Sequence, residues 1–212
     1  MYRITYYPRK EEILNVITHF TGFILSLAGL YFLTVKAVKY NDIWLITGFT
    51  IFGISMVLLY LASSLYHMSK RRKTREKLNI LDHAAIYILI AGTYTPFCLI
   101  PLRGVTGWIL FATTWALAIT GVILKLFFTG KYDFLSTIAY VVMGWIVVFA
   151  IKPLINSLSP EALFYLFLGG ASYTIGAGFY LWKKLSFNHA IFHLFVLGGT
   201  FSHFIAVYYY LI

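Results

Sequence analysis

The chain contains seven long apolar stretches that short polar segments separate from one another. They lie at about residues 13–35, 42–66, 80–101, 106–128, 134–156, 161–182 and 188–211. Each is close to the roughly 20 residues that a helix needs to cross the hydrocarbon core of a membrane. None alternates polar and apolar residues as a barrel strand does, and helices satisfy their own backbone hydrogen bonds in lipid. The sequence therefore predicts an all-α integral membrane protein with seven transmembrane helices.

The composition agrees with this fold class. Hydrophobic residues make up 60% of the 212 residues, charged residues only 11%, and the mean hydropathy is +0.81. A domain that folds in water keeps far more polar surface than this. Because the seven stretches use nearly the whole length, we expect a single transmembrane domain over residues 1–212.

Basic residues fall mainly on one side of the predicted membrane. That side holds Arg3, Arg9, Lys10, Lys70, Arg71, Arg72, Lys73, Arg75, Lys77, Lys125, Lys131, Lys183 and Lys184. By the positive-inside rule this side is cytoplasmic, so we expect a cytoplasmic N-terminus and an outer C-terminus. The run KRRKTREK at residues 70–77 also has the composition of a patch for anionic lipid headgroups. Topology accounts for the net charge of +10, and nucleic-acid binding is not expected.

Several polar residues of the second, third and seventh stretches fall at one depth, near the basic side. They are Ser63, His67, Asp82, His189 and His193. Ionisable groups are costly within a membrane and commonly mark functional sites. Because three separate segments bring them to the same depth, the sequence predicts one shared site.

The spacing of these residues suits metal binding. In HAIFH, at residues 189–193, two histidines stand one helical turn apart and present their imidazoles to one point. SSLYH, at residues 63–67, places a serine hydroxyl one turn from a third imidazole. Three imidazoles with a fourth position left for water form the arrangement of a catalytic zinc site. In such a site Asp82 would hold that water or take its proton.

Each of these residues also has a simpler explanation. A pair of histidines four residues apart also lines proton paths or hydrogen-bonds neighbouring helices. An aspartate just before an apolar helix, such as Asp82, also caps the first backbone amides of that helix. A serine within a helix, such as Ser63, often bonds back to a carbonyl of its own helix. The residue pattern alone leaves these alternatives open.

Two further histidines lie inside the stretches. His203 stands about 21 Å beyond His189 along the helix at 1.5 Å per residue, which is too far to share an ion. His19 lies closer to the depth of the site, with Glu12 and Asn15 leading up to it. We expect a structural or supporting role for both histidines.

At these residues the chain resembles the hemolysin III family, bacterial members of the progestin and adipoQ receptor superfamily. The matching stretches are EEILNVITHFTGF, SSLYH, LDHAAIYILIAGTYTP and NHAIFHLFVLGGTFSHF, in this order along the chain. The superfamily is similar to alkaline ceramidases. The resemblance implies a seven-helix protein of the bacterial plasma membrane that holds Zn²⁺ near the cytoplasmic face. It assigns the zinc ligands to His67, His189 and His193, contact with the zinc-bound water to Asp82, and a place beside the site to Ser63.

The residues and the resemblance together favour a zinc-dependent membrane hydrolase that cleaves a lipid amide or ester bond in membrane lipid homeostasis. Asp82 would move the proton, and Ser63 would stabilise the developing oxyanion or orient the water. One alternative is a non-enzymatic sensor of the membrane state with structural zinc. Another is a hemolysin-like protein that damages membranes, and haem is an alternative cofactor. Membrane lipids are the expected partners, whereas the substrate and the oligomeric state do not follow from the sequence.

Overall fold

The computed structural model describes residues 5–212, and within them it contains helices and no strand. Arg3, counted above for the orientation, lies outside the described residues. The elements are α1 (Arg9–Tyr40), α2 (Ile43–Met68), α3 (Arg72–Leu99), α4 (Val105–Phe128), α5 (Asp133–Gly144), a 3₁₀ segment (Ile146–Ala150), α6 (Ile151–Ser157), α7 (Pro160–Leu181) and α8 (Asn188–Tyr210). The all-α prediction is confirmed.

Six of the predicted stretches form helices that are long and apolar enough to cross a membrane. They are α1, α2, α4, the segment Asp133–Ser157 that joins α5 to α6, α7 and α8. The third stretch forms α3, which begins at Arg72 rather than near residue 80. Arginine, lysine and glutamate favour helices, so the charged residues ahead of the apolar run join the same helix. Helix α3 is less apolar than these six and is not among the helices that meet the limits of length and hydropathy.

The third helix is the centre of the bundle. It packs against α2 and α4 along its length and meets α5 and α8. Almost every residue from Ala84 to Leu99 is buried, whereas the other long helices expose large apolar side chains on one face. Helix α1 closes the bundle by packing against α2 and α8, and α7 packs against α8.

Helix α1 shows how one face of a span is selected for burial. Its buried residues recur every three or four positions: Glu11, Asn15, His19, Gly22, Ser26, Gly29, Leu33 and Ala37. The first three are polar, and small residues follow, which lets neighbouring helices approach closely. At Gly22 a Cβ atom would lie 2.6 Å from the ring of Tyr60, so only glycine fits between α1 and α2. The α1 surface that faces α2 and α8 is therefore polar at one end and tightly packed beyond it.

The fifth stretch is interrupted in the middle. Helix α5 ends at Gly144, and the chain passes through the 3₁₀ segment before α6 continues. The Tyr94 hydroxyl of α3 donates to the Gly144 carbonyl (2.7 Å) and accepts from the Val147 amide (2.9 Å). Irregular backbone at membrane depth is tolerated only where such groups are satisfied within the protein. Tyr94 therefore holds the break together.

We expect Tyr94→Phe to destabilise the protein because it leaves the Gly144 carbonyl and the Val147 amide without their partner. An unpaired buried polar group costs about 1–3 kcal/mol. Thermal unfolding of the detergent-purified variant should therefore begin at a lower temperature than that of the wild type. Tyr132→Phe, which removes an exposed hydroxyl, is the control, and equal transitions for both variants would contradict the role of Tyr94.

Candidate metal centre

Three buried imidazoles lie together at the end of the bundle that carries the basic loops. His67 closes α2, and His189 and His193 occupy the first two turns of α8. Their exposed fractions are 5%, 6% and 1%. One ring nitrogen from each lies within 4.8 Å of the other two, and the Nε2 atoms of His67 and His189 are 3.2 Å apart. The structure thus brings together the three histidines predicted as ligands.

Helix α8 is fixed at its first turn, which determines where two of these imidazoles lie. The Asn188 side chain donates to the carbonyls of Phe179 and Tyr180 near the end of α7 (3.3 and 3.1 Å). The Glu11 carboxylate of α1 accepts from the His189 backbone amide (3.3 Å). A negative group at a helix N-terminus satisfies a free amide and interacts favourably with the helix dipole. The start of α8 is therefore tied to both α7 and α1.

Glu12 of α1 orients the His67 ring. Nδ1 of His67 donates to a Glu12 carboxylate oxygen at 2.6 Å. The other oxygen of Glu12 pairs with the buried Arg75, which also donates to the backbone carbonyls of Thr5, Tyr66 and Ser69. A histidine that donates one ring N–H to a carboxylate presents the lone pair of its other nitrogen to a metal. The hydrogen bond from His67 Nδ1 to Glu12 therefore directs Nε2 of His67 towards the other two rings.

Thr18 of α1 orients His193 in the same way. The Thr18 hydroxyl donates to the Leu14 carbonyl at 2.8 Å, so its oxygen accepts from Nδ1–H of His193 at 3.2 Å. This contact fixes the tautomer of His193 and leaves its Nε2 lone pair available. Both orienting side chains come from the polar end of α1, which supplies none of the three imidazoles.

The donor set fits a small tetrahedral cation such as Zn²⁺. Two nitrogens bound to one zinc ion at 2.0–2.1 Å stand about 3.3 Å apart, close to the separation of the His67 and His189 Nε2 atoms. Both Nε2 atoms are buried, and a hydrogen bond between them uses a single proton. Nδ1 of His189 has no hydrogen-bond partner among the described residues. A shared cation would satisfy both nitrogens at once.

Aromatic rings enclose the imidazoles from two sides. His19 of α1 stacks on His193 with ring centroids 3.4 Å apart and planes 13° apart. Tyr7, in the segment before α1, stacks on His189 at 4.6 Å. Burial, followed by the charges of neighbouring Tyr180, Tyr66 and Asp82, raises the pKa of the Tyr7 phenol well above its usual value. Tyr7 therefore remains an uncharged hydrogen-bond donor beside the site.

Asp82 lies on α3, and the capping explanation for it is wrong. Since α3 begins at Arg72, Asp82 stands in its third turn, where the backbone amides already have partners. The carboxylate is 9% exposed and lines two cavities that also border His189. It does not belong to the cluster of possible ligand atoms. Its position suits a group that contacts a ligand or water rather than the ion.

Ser63 lies one turn before His67 and is fully buried. Its hydroxyl has no hydrogen-bond partner among the described residues, so the expected alternative of a bond to its own helix is not observed. Ser63 does not line the large cavity described next.

A long apolar cavity of about 160 Å³ begins at the imidazoles and runs through the bundle between α3, α5, α7 and α8. One end is bordered by His19, Asp82, His189 and His193, and the other by Phe97, Leu102, Leu166 and His203. From Asp82 to Phe97 the distance along α3 is about 22 Å, which exceeds the roughly 15 Å of one leaflet of hydrocarbon. Its lining is mainly apolar, and its volume suits a short apolar group beside the imidazoles.

A smaller cavity of about 20 Å³ reaches the same site from the side of the basic loops. Tyr7, Asn79, Asp82, Asp133 and His189 border it, so most of its lining is polar. His189 thus borders both the small polar cavity and the large apolar one, and His193 borders the large one.

Comparison with known proteins now identifies the family. A family model described as Haemolysin-III related matches residues 7–204. The chain belongs to the hemolysin III family. This confirms the resemblance inferred from the sequence, and together with the six apolar helices it makes the chain a multi-pass membrane protein.

Individual relatives agree with this assignment. The chain is 51% identical over 201 residues to a hemolysin-3 homolog of Bacillus subtilis, covering 95% of this chain and 94% of the relative. It is 50% identical over 203 residues to hemolysin-3 of Bacillus cereus, covering 96% and 93%. Human monocyte to macrophage differentiation factor is 26% identical over 181 residues, covering 81% and 73%. No solved structure matches the chain.

Sequence reasoning missed three residues of this hemolysin III centre, namely Tyr7, Thr18 and Arg75. Thr18 is only partly buried, at the border of the α1 face that carries Glu11, Asn15 and His19, and a hydrogen bond to its own helix would have been the ordinary expectation for it. In the sequence Arg75 was one of the basic residues that set the membrane orientation. In the structure its side chain is buried, with 2% exposed. Nothing in the sequence marks Tyr7, which reaches the site only because its segment folds back over α8.

We expect Glu12→Gln to weaken metal binding by about 10- to 100-fold, since the side chain that orients His67 loses its charge. Titration of the apo protein with zinc in competition with a chelator measures this affinity. Glu161→Gln, an exposed change in the first turn of α7, is the control. Equal zinc affinity in the two variants would show that Glu12 does not support the ligands.

Proposed function

We propose that the protein is a zinc-dependent hydrolase of lipid amide or ester bonds that serves membrane lipid homeostasis. The observation that carries this proposal is the convergence of three imidazoles, two of which, His189 and His193, border one end of an apolar cavity together with the Asp82 carboxylate. A lipid whose chain fills the cavity would present its carbonyl to that end.

We further propose seven membrane spans with a cytoplasmic N-terminus. Helix α3 would be the seventh span, since it lies inside the bundle and its basic first turns stand beside other basic loops. Exposed basic residues at this end include Arg9, Lys10, Lys70, Arg71, Arg72, Lys73, Lys77, Lys131, Lys183 and Lys184. Their distribution supports this orientation by the positive-inside rule. The metal centre would then lie near the cytoplasmic face.

Each residue of the site has a role in this reaction. His67, His189 and His193 would hold the ion, which when bound supplies a Lewis acid and lowers the pKa of water to about 7. Asp82 would accept the proton from the attacking water and return it to the leaving group. The Ser63 hydroxyl, which has no hydrogen-bond partner within residues 5–212, would orient the water or stabilise the oxyanion. The apolar walls would position the acyl chain and exclude bulk water.

A sensor with structural zinc is the second candidate. Structural zinc sites are closed by four protein ligands, whereas the described residues supply a cluster of three. The adjoining cavity also favours a fourth coordination position that is open to water or substrate, as in a catalytic zinc site.

The name of the Bacillus cereus relative, hemolysin-3, suggests a pore-forming protein as another candidate. A water-soluble pore-former is disfavoured for this chain. Large apolar side chains are exposed along the long helices, and that surface needs lipid rather than water.

Two variants test the hydrolase. His193→Ala should lose bound metal in elemental analysis of the detergent-purified protein. Asp82→Asn should keep about one ion per chain but hydrolyse about 10²–10⁴-fold more slowly, the usual contribution of a general acid–base group. Released fatty acid is measured over a panel of ceramides, fatty-acid amides and phospholipids.

The control for Asp82 is Glu76→Gln, which removes one charge from an exposed ion pair on the same helix. Undiminished hydrolysis by Asp82→Asn would refute its catalytic role. Bound zinc without hydrolysis of any lipid in the panel would favour the sensor.

A further inference from the structure

The small polar cavity beside His189 is bordered by hydrogen-bond donors that the proposed reaction does not yet use. Its volume of about 20 Å³ is close to the space that one water-sized group needs. Asp82 and His189 border both this cavity and the apolar chamber. A ligand at the imidazoles can therefore keep its apolar part in the chamber and place a single oxygen atom in the small cavity.

Several polar groups around the small cavity are already bonded or can only accept. The Tyr66 hydroxyl donates to the Thr5 carbonyl at 3.1 Å. Nδ1 of His83 donates to the Asn79 carbonyl at 2.8 Å, which leaves the other ring nitrogen of His83 as an acceptor. An ionised carboxylate such as Asp82 accepts hydrogen bonds and donates none. Donors for a ligand oxygen must therefore come from other side chains.

Tyr7 and Tyr180 supply such donors next to His189. The Tyr7 ring stacks on the His189 ring with centroids 4.6 Å apart, and the centroid of the Tyr180 ring lies 5.7 Å from that of His189. Both tyrosines border the small cavity, and neither hydroxyl has a hydrogen-bond partner among the described residues. Neither is enclosed by protein as the Ser63 hydroxyl is, so both are open to a ligand. The Asn79 amide borders the cavity too, but it is the tyrosine rings that lie against the imidazole.

The hydroxyls of Tyr7 and Tyr180 lie near each other, although they come from distant parts of the chain. Burial is the first cause of the raised pKa of Tyr7, and the Tyr180 phenol is the second. Because such an interaction weakens with distance, it places the two phenols close together. Tyr7 precedes α1, whereas Tyr180 lies at the end of α7. Two separate segments thus bring neutral donors to one cavity, as in an oxyanion hole.

We propose that the Tyr7 and Tyr180 hydroxyls donate hydrogen bonds to the oxygen of the substrate carbonyl and stabilise the negative charge that this oxygen develops during hydrolysis. Ser63 borders neither cavity, so its hydroxyl is left to orient the water. The inference rests on the proposed hydrolase and its metal centre. It adds two catalytic residues to that reaction.

Binding of two small ligands to the cobalt-substituted, detergent-purified protein tests this donor pair without turnover. Hexanohydroxamic acid offers oxygen atoms to the tyrosines, whereas hexanethiol binds a metal through sulfur, which is a weak acceptor. Each ligand gives up one proton when it binds a metal ion, and both carry the same short alkyl chain. The visible absorption of cobalt reports the binding of either ligand directly.

We expect Tyr7→Phe and Tyr180→Phe each to bind hexanohydroxamic acid about 10- to 100-fold more weakly, the range for a hydrogen bond to a charged acceptor. Their affinity for hexanethiol should equal that of the wild type. Each substitution keeps the ring and removes a hydroxyl without a partner among the described residues, so thermal unfolding should be unchanged. Tyr173→Phe is the matched control, since Tyr173 borders the chamber with its hydroxyl bonded to Thr200, and its hydroxamate affinity should be that of the wild type.

The inference is overturned if either tyrosine variant binds the hydroxamate as tightly as the wild type does. It is also overturned if a variant loses affinity for the thiol to the same degree, because the ring would then support the metal centre and the hydroxyl would not act on the ligand. Absence of cobalt binding in the wild type would refute the metal centre and this inference together. Bound cobalt and the expected affinities, without hydrolysis of any lipid in the earlier panel, would refute the reaction and leave the donor pair standing.

Discussion

Burial of nitrogen atoms away from water is the constraint on which the rest of this structure depends. Three imidazoles lie where lipid surrounds the bundle, and each lone pair there needs a proton or a cation. The chain meets part of this need with Glu12 and Thr18, whose oxygens accept hydrogen bonds from Nδ1–H of His67 and His193. The remaining nitrogens then face one another. Helix packing around them follows from that arrangement, because α1 must lie against both α2 and α8 to deliver its side chains.

Much of this arrangement follows from sequence patterns. Hydropathy gave the helices, and the charge of the loops together with the spacing of His67, His189 and His193 indicated one shared site. The orienting residues were harder to predict, since a threonine on an apolar helix is ordinarily bonded to its own backbone. Capping remained an alternative for Asp82 because apolar periodicity marks where a stretch enters lipid, not where the helix begins, and α3 begins at Arg72. The break after Gly144 depends on a hydroxyl from another helix, which no local pattern encodes.

The cavity joins two environments that a lipid-processing site would need. Polar side chains border the small opening near the basic loops, and apolar ones border the long chamber. Asp82 and His189 border both. A polar head and an apolar chain could therefore reach the imidazoles from different directions, which is how an amphiphile would be aligned without a soluble domain.

The wall of the chamber that the interrupted fifth stretch forms is held differently from the wall opposite. In its most apolar window 17% of the residues are buried, against 50% in α2 and α8, and hydrogen bonds that involve Tyr94, Tyr140 and Trp145 tie this wall to α3 and α7. The opposite wall carries the imidazoles and is tied down by α1. Substitutions along α5 and the 3₁₀ segment, which line the chamber, can therefore reshape it while the histidines keep their places. Such a division separates the residues that shape the chamber from those that hold the three imidazoles together.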